Sequence, residues 1–231
     1  MEKKESKSMI KTESNDKHFL FLAVISLLSF LFCIFPLAGT SYALSAGEEV
    51  ARIQKAYENI KDLSGSFSQQ SFLKDLKRTD TYNGQLFIKK PQKMKVIYKG
   101  ENSAEIFINN DSVVIYQKKE KQAFKSAFDS NTYGQTPIVL LSGLGKIQEE
   151  FSVTEKNGRL FLKPKKPMGT ILSLEVETSD GVFPIKSLTI YDSASNKITI
   201  ALKEVKINTG IEDVFFTPSL PKGTAIVEHN P

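Results

Sequence analysis

The residues that could carry out chemistry in this chain are its histidines, its cysteine and its adjacent carboxylates, and each is badly placed for it. The two histidines are His18, in a polar leader, and His229, in the closing His229-Asn230-Pro231. A serine or cysteine nucleophile needs an imidazole base held within hydrogen-bond reach, and a terminal tail is a poor place to hold one. The single cysteine, Cys33, sits in an apolar run, so zinc-type ligand spacing and disulfides are not expected. Glu149-Glu150 and Glu212-Asp213 are neighbours in sequence. Along a strand such neighbours point to opposite faces and cannot converge as a general acid–base pair. No glycine-rich loop leads from a strand into a helix to cradle phosphate. The sequence therefore predicts no catalytic residue, no metal and no cofactor: a protein that is not an enzyme.

What remains informative is apolar. Of 231 residues, 40% are hydrophobic and 25% charged, enough for a packed core. The net charge of +5 is spread as isolated lysines, without the aromatic-interleaved arginine cluster of a nucleic-acid surface. At the start, Lys3, Lys4, Lys7, Lys11 and Lys17 precede an apolar run from Phe19 to Phe35. Ser41 and Ala43 then fit the small-residue positions of a signal-peptidase site, so 1–43 reads as an export signal and 44–231 as one domain. The competing reading is an uncleaved anchor, because the run approaches the length of a spanning helix. Phe30-Leu31-Phe32 before Cys33 lacks the small residue of a lipidation site. Cleavage would leave the domain without cysteine, held together by its core alone.

The elements that position this apolar material follow from period and turn chemistry. Ser45 and Glu48 form a capping-box pattern, and Val50, Ile53, Tyr57 and Ile60 continue at helical spacing to about Asp62. From Ser64 onward the period becomes two. Strands are predicted at 66–73, 81–89, 93–99, 104–108 and 112–117. A second group is predicted at 151–155, 159–163, 171–178, 182–191, 197–207 and 213–216. Asn157-Gly158 and Asp180-Gly181 are hairpin signals, and Asn109-Asn110-Asp111 and Ser195-Asn196 weaker ones. Successive hairpins predict an antiparallel meander. Between its halves, Thr136-Pro137 starts a short apolar helix through Leu141, ended by Gly143 and Gly145.

The strands have unlike faces. Leu86, Ile88 and Lys90 share one face and Gln85, Phe87 and Lys89 the other; in the next strand Met94, Val96 and Tyr98 lie opposite Lys93, Lys95 and Lys99. A filled core and an unfilled concave surface both fit this pattern.

In order and spacing the chain resembles the LolA-type periplasmic lipoprotein carriers. The resemblance rests on Leu63-Ser-Gly-Ser-Phe67-Ser-Gln69, on Gly84-Gln-Leu-Phe-Ile-Lys-Lys90-Pro91 running into Met94, Val96 and Tyr98, on Gly134-Gln-Thr-Pro137-Ile-Val-Leu-Leu141, and on Val214-Phe-Phe-Thr-Pro218. It implies a mainly β (α+β) fold: an incomplete antiparallel β-barrel, or strongly curved sheet, with a few helices as a lid over a hydrophobic cavity. It implies a monomeric periplasmic carrier that takes acylated lipoproteins from an inner-membrane ABC-type releasing complex to an outer-membrane acceptor. By position, Phe67, Leu86, Ile88, Met94, Val96 and Tyr98 would line the lipid cavity. Lys90, Pro137, Ile138 and Leu141 would form lid and latch. The family usually has arginine at the position of Lys90, where it hydrogen-bonds toward the lid; lysine lacks the planar fork. Another amphiphile such as a glycolipid, or a lipoprotein-sensing regulatory module, would suit the same fold.

Overall fold

The computed structural model describes residues 45–128, 141 and 144–229. The leader, Pro137, Ile138 and the expected helix end at Gly143 lie outside them. The capping box forms as expected: the Ser45 N–H donates to Glu48 Oε2 at 2.8 Å and the Glu48 N–H donates to Ser45 Oγ at 3.3 Å. They start helix α1, Ala46–Asn59, which buries Val50, Ile53 and Tyr57. The helix stops short of the expected Asp62 because that residue is drawn into the sheet. Its carboxylate accepts from the Thr209 N–H, the Thr209 hydroxyl and the Gly210 N–H at 2.8–2.9 Å.

After α1 come β1 (Asp62–Leu73), β2 (Arg78–Lys89), β3 (Lys93–Lys99), β4 (Ala104–Asn109), β5 (Ser112–Gln117) and β6 (Gln122–Ala127). A 3-10 turn, Leu144–Lys146, runs into the single helical turn α2, Ile147–Glu150. Then follow β7 (Phe151–Lys156), β8 (Arg159–Pro164), β9 (Ile171–Thr178), β10 (Ile185–Asp192) and β11 (Lys197–Ile207). A 3-10 turn at Asp213–Phe216 and strand β12 (Ala225–His229) close the chain. Among the described residues one sheet has the order β12-β6-β5-β4-β3-β2-β1-β11-β10-β9-β8-β7. Its ladders are antiparallel except β12 on β6.

One hydrophobic cluster joins Val113 of β5, Leu86 of β2 and Ile200 of β11 to Phe151 of β7 and to Ile53 of α1. Laid flat, the strands from β5 to β7 would spread over about 40 Å at the usual strand spacing. A shared core therefore requires the sheet to roll around the helix. One device for this sits at the β1–β11 pairing, where the register slips between Ser64 and Ser66 and Glu204 takes φ +53°. Such a bulge bends and twists the strand that carries it.

Several expectations need correction. Asn157-Gly158 makes a left-handed two-residue turn, with φ 55° and 73°, but Asp180-Gly181 does not. Pro184 has no N–H to continue the ladder, so β10 begins at Ile185 and not at Val182. The connection from Thr178 is then a loop over 179–184, closed by the Ser179 N–H to the Pro184 carbonyl at 2.9 Å. Asp213–Phe216 is a 3-10 turn, not a strand, and Asp213 is ion-paired instead of merely solvated. His229 pairs with Ser126 in β12 and does not belong to a free tail.

Gly84 shows how tightly the sheet is packed beside Phe67. A Cβ there would meet the Phe67 ring at 2.6 Å and also the Ile97 carbonyl. Gly84→Ala should cost about 1–3 kcal/mol, as overpacked core sites do, read as a lower urea midpoint with unchanged slope.

Candidate functional site

Between α1 and the sheet the core is incomplete. A cavity of about 590 Å³ is walled by Leu63, Leu86, Ile88, Met94, Ile108 and Leu202 from the strands, and by Tyr57, Ile60, Leu141 and Phe183. It opens where β1 begins, β2 ends and β3 begins. Lys61, Lys90, Pro91 and Gln92 border it there; Lys89 and Lys93 also line it, but their ammonium groups turn to Asp213.

Besides the apolar face that buries Val50 and Ile53, polar bonds tie the helix to separate parts of the chain. Lys90 Nζ donates to the Tyr57 carbonyl, in the last turn of α1, where unpaired carbonyls favour a cation. The Tyr57 hydroxyl donates to the Leu141 carbonyl. Tyr57 thus links the end of β2 to the segment at Leu141, and its ring meets Phe183 at 5.5 Å. Burial pushes its hydroxyl well above the ordinary tyrosine range, keeping it a neutral donor. Arg52 ties the helix to the 179–184 loop by donating to the Ser179 carbonyl at 2.7 Å and to Glu49 at 3.0 Å. Asn208 Nδ2 donates to the Asn59 carbonyl at 3.1 Å. Tyr57→Phe should remove the donor to Leu141 and destabilise the closed form by about 1–3 kcal/mol. Amide exchange should quicken along α1 while β9–β11 stay protected.

The residues expected from sequence divide in two. Leu86, Ile88, Met94, Lys90 and Leu141 all border the cavity. Val96 and Phe67, 0% and 3% exposed, are buried in the core and do not border the cavity. Tyr98 stands edge-on to Phe67 at 5.3 Å. It borders a second hollow of about 390 Å³ with Gln69, Ser71, Asp80 and Tyr82, at the opposite ends of β1–β3. Tyr57 was legible only as a core position of a helix. Its bond to Leu141 spans 84 residues, and no local pattern reports it.

The outward face of β2–β5 is also covered. The 3-10 turn at Asp213–Phe216 buries Phe216 completely. Phe215 packs on Phe87 at 4.7 Å and lies under the Lys95 ammonium, 4.5 Å from its ring centre. Asp213 pairs with Lys89 at 2.6 Å and Lys93 at 2.5 Å. The hydrogen bond from Lys89, then that from Lys93, lowers its carboxyl to about 2. A depressed folded-state value means the stabilisation is present above about pH 3.8 and lost as pH falls toward 2. Wild type and Asp213→Asn should therefore differ in Tm at neutral pH and converge near pH 2. Among the described residues no cluster of three or more His, Cys, Asp or Glu could hold a metal, and no helix is long and apolar enough to cross a membrane.

The family model described as outer membrane lipoprotein carrier protein LolA matches residues 58–219. The chain belongs to the LolA family. An outer-membrane lipoprotein carrier protein of Pseudomonas putida is 26% identical over 195 residues, 82% of this chain and 93% of that protein. One from Azotobacter vinelandii is 24% identical over 207 residues, 86% and 99% of the two chains. Among solved structures, a LolA superfamily protein from Nitrosomonas europaea aligns over 76% of this chain and 99% of its own, at 9% identity and a TM-score of 0.44. The LolA match takes in every residue that lines the cavity except Tyr57.

Proposed function

We propose that this chain is a periplasmic carrier whose cavity shelters the acyl chains of lipoproteins released from the inner membrane, for delivery to the outer membrane. The observation that carries the reading is the hollow of about 590 Å³ beneath α1, bordered by Leu86, Ile88 and Met94 and closed through Lys90 and Tyr57. Burying a methylene is worth about 0.8 kcal/mol, so exposing roughly forty of them costs about 30 kcal/mol. No acylated client crosses water alone at that cost. A host built from adaptable Met, Leu and Ile walls holds such chains less completely than a bilayer does, and this leaves a downhill path to the acceptor.

The closed cavity falls within the range of about 300–1,000 Å³ that suits one drug-sized ligand. A triacyl anchor is larger, so loading requires α1 to lift and its polar ties to break. In this reading residues 1–43 are removed on export, the carrier acts as a monomer without catalysis, and Lys90 is the latch. An inner-membrane ABC-type complex supplies the client and an outer-membrane acceptor receives it. The test is native mass spectrometry of the protein purified from the periplasm. A co-purifying triacylated protein is expected; a bare protein that takes up no lipoprotein from membrane vesicles would overturn the reading.

A further inference from the structure

The larger and the smaller hollow share the inner face of the sheet, and among the described residues the partition between their linings is one side chain deep. Along β3, Met94 borders the larger hollow and Tyr98 the smaller; Val96, the residue of that face between them, borders neither. Along β11 the order repeats, from Leu202 through Ile200 to Ile198. On β2 the middle place, between Leu86 and Tyr82, belongs to Gly84, which has no side chain to contribute. Its share is filled from the neighbouring strand. Gly84 pairs with Phe67 of β1, whose ring lies where a Cβ on Gly84 would have to go. Tyr98 meets that ring edge-on at 5.3 Å from the side of the smaller hollow. Phe67 is thus the side chain that serves two strands of the partition at once, and it is buried.

We infer that Phe67 is the stop that ends the acyl-chain site and sets how long a chain the carrier accepts. This deepens the reading of the larger hollow as an acyl site and stands only with it. A chain entering at the mouth passes Ile88 and then Leu86 before it reaches the level of Gly84. That run of β2 measures about 13 Å at the usual strand rise. An extended sixteen-carbon chain is longer, so it must bend inside the hollow, and further methylenes find no apolar space. Each methylene that does find such space strengthens binding about fourfold, and one that is stopped short adds nothing. Past the stop, the smaller hollow offers Leu73, Ala104, Ile198 and two tyrosines, enough to take the end of a chain.

The test uses protein expressed with its own leader and purified after export. The probes are short synthetic lipopeptides, each carrying one saturated acyl chain of 12, 16 or 20 carbons. Affinities are read by titration in native mass spectrometry, beside the urea midpoint of each protein. In the wild type the step from 16 to 20 carbons should change affinity by about twofold or less. In Phe67→Ala the same step should raise it at least about tenfold, within a ceiling of about two-hundredfold for four buried methylenes. Filling the smaller hollow in that background with Ala104→Trp should bring the step back to about twofold. If loss of the buried ring leaves Phe67→Ala unfolded, Phe67→Leu takes its place, with an expected step of about threefold to fivefold. A wild-type affinity that climbs tenfold or more from 16 to 20 carbons, a folded Phe67 variant with the wild-type step, or a rise that survives Ala104→Trp would each overturn the inference while leaving acyl binding intact. A wild type that binds none of the three lipopeptides would bring down the carrier reading itself.

Discussion

Replacing Ile88 with tryptophan is expected to leave a folded protein that loads acylated client at least about thirtyfold less well. Ile88 is on β2, paired with Met94 across the ladder, and borders the cavity where Lys90 closes it. A larger side chain there enters empty space, so the strain that penalises overpacking elsewhere is avoided. The space it fills is space the guest would use. Excluding only two or three methylenes removes about 2 kcal/mol, or about thirtyfold in affinity. Uptake of a triacylated lipoprotein, measured beside the denaturant midpoint, checks both halves. Normal loading by a well-folded Ile88→Trp protein would show that the hollow is not where the client sits.

Lys90→Leu should load and then fail to let go. The bond from Lys90 to the Tyr57 carbonyl exists only with α1 seated, so it favours the empty, closed form. A hydrogen bond from a charged donor is worth about 1.5–3 kcal/mol, and without it the loaded state becomes relatively more stable by that amount. Transfer to acceptor membranes should slow by about ten- to a hundredfold. Lys90→Arg, which can still reach a carbonyl, should transfer near the wild-type rate. A Leu variant with wild-type loading and transfer would remove Lys90 from the mechanism.

How much of this could be read from the residues depended on how local the cause was. The α1 start was legible because its cap is made within four residues, and β3, β5, β9 and β11 because period two and flanking turns delimit them. Strand β6 was missed: Gln122-Ala-Phe-Lys-Ser-Ala127 has few β-formers and is a strand only because β5 and β12 flank it. Asp213–Phe216 looked like a strand by composition; the pull of Lys89 and Lys93 on Asp213 and the burial of Phe216 make it a 3-10 turn. At the site, Leu86, Ile88 and Met94 could be placed on one face by alternation alone, as could Val96 and Tyr98. That face could not reveal that core packing takes over from Val96 onward. Lys90 was singled out only through the family resemblance, and the relay through Tyr57 only by the folded chain.

The parallel seam between β12 and β6 has a consequence for the order in which the protein is made. Ala225 meets Gln122 across a hundred residues of intervening chain, in an orientation no hairpin can supply. Strand β12 is therefore synthesised about a hundred residues after the strand it pairs with. Until it arrives, the β6 margin is a raw row of unpaired amides and carbonyls. The newly delivered chain thus passes through an interval in which another copy could occupy that margin first.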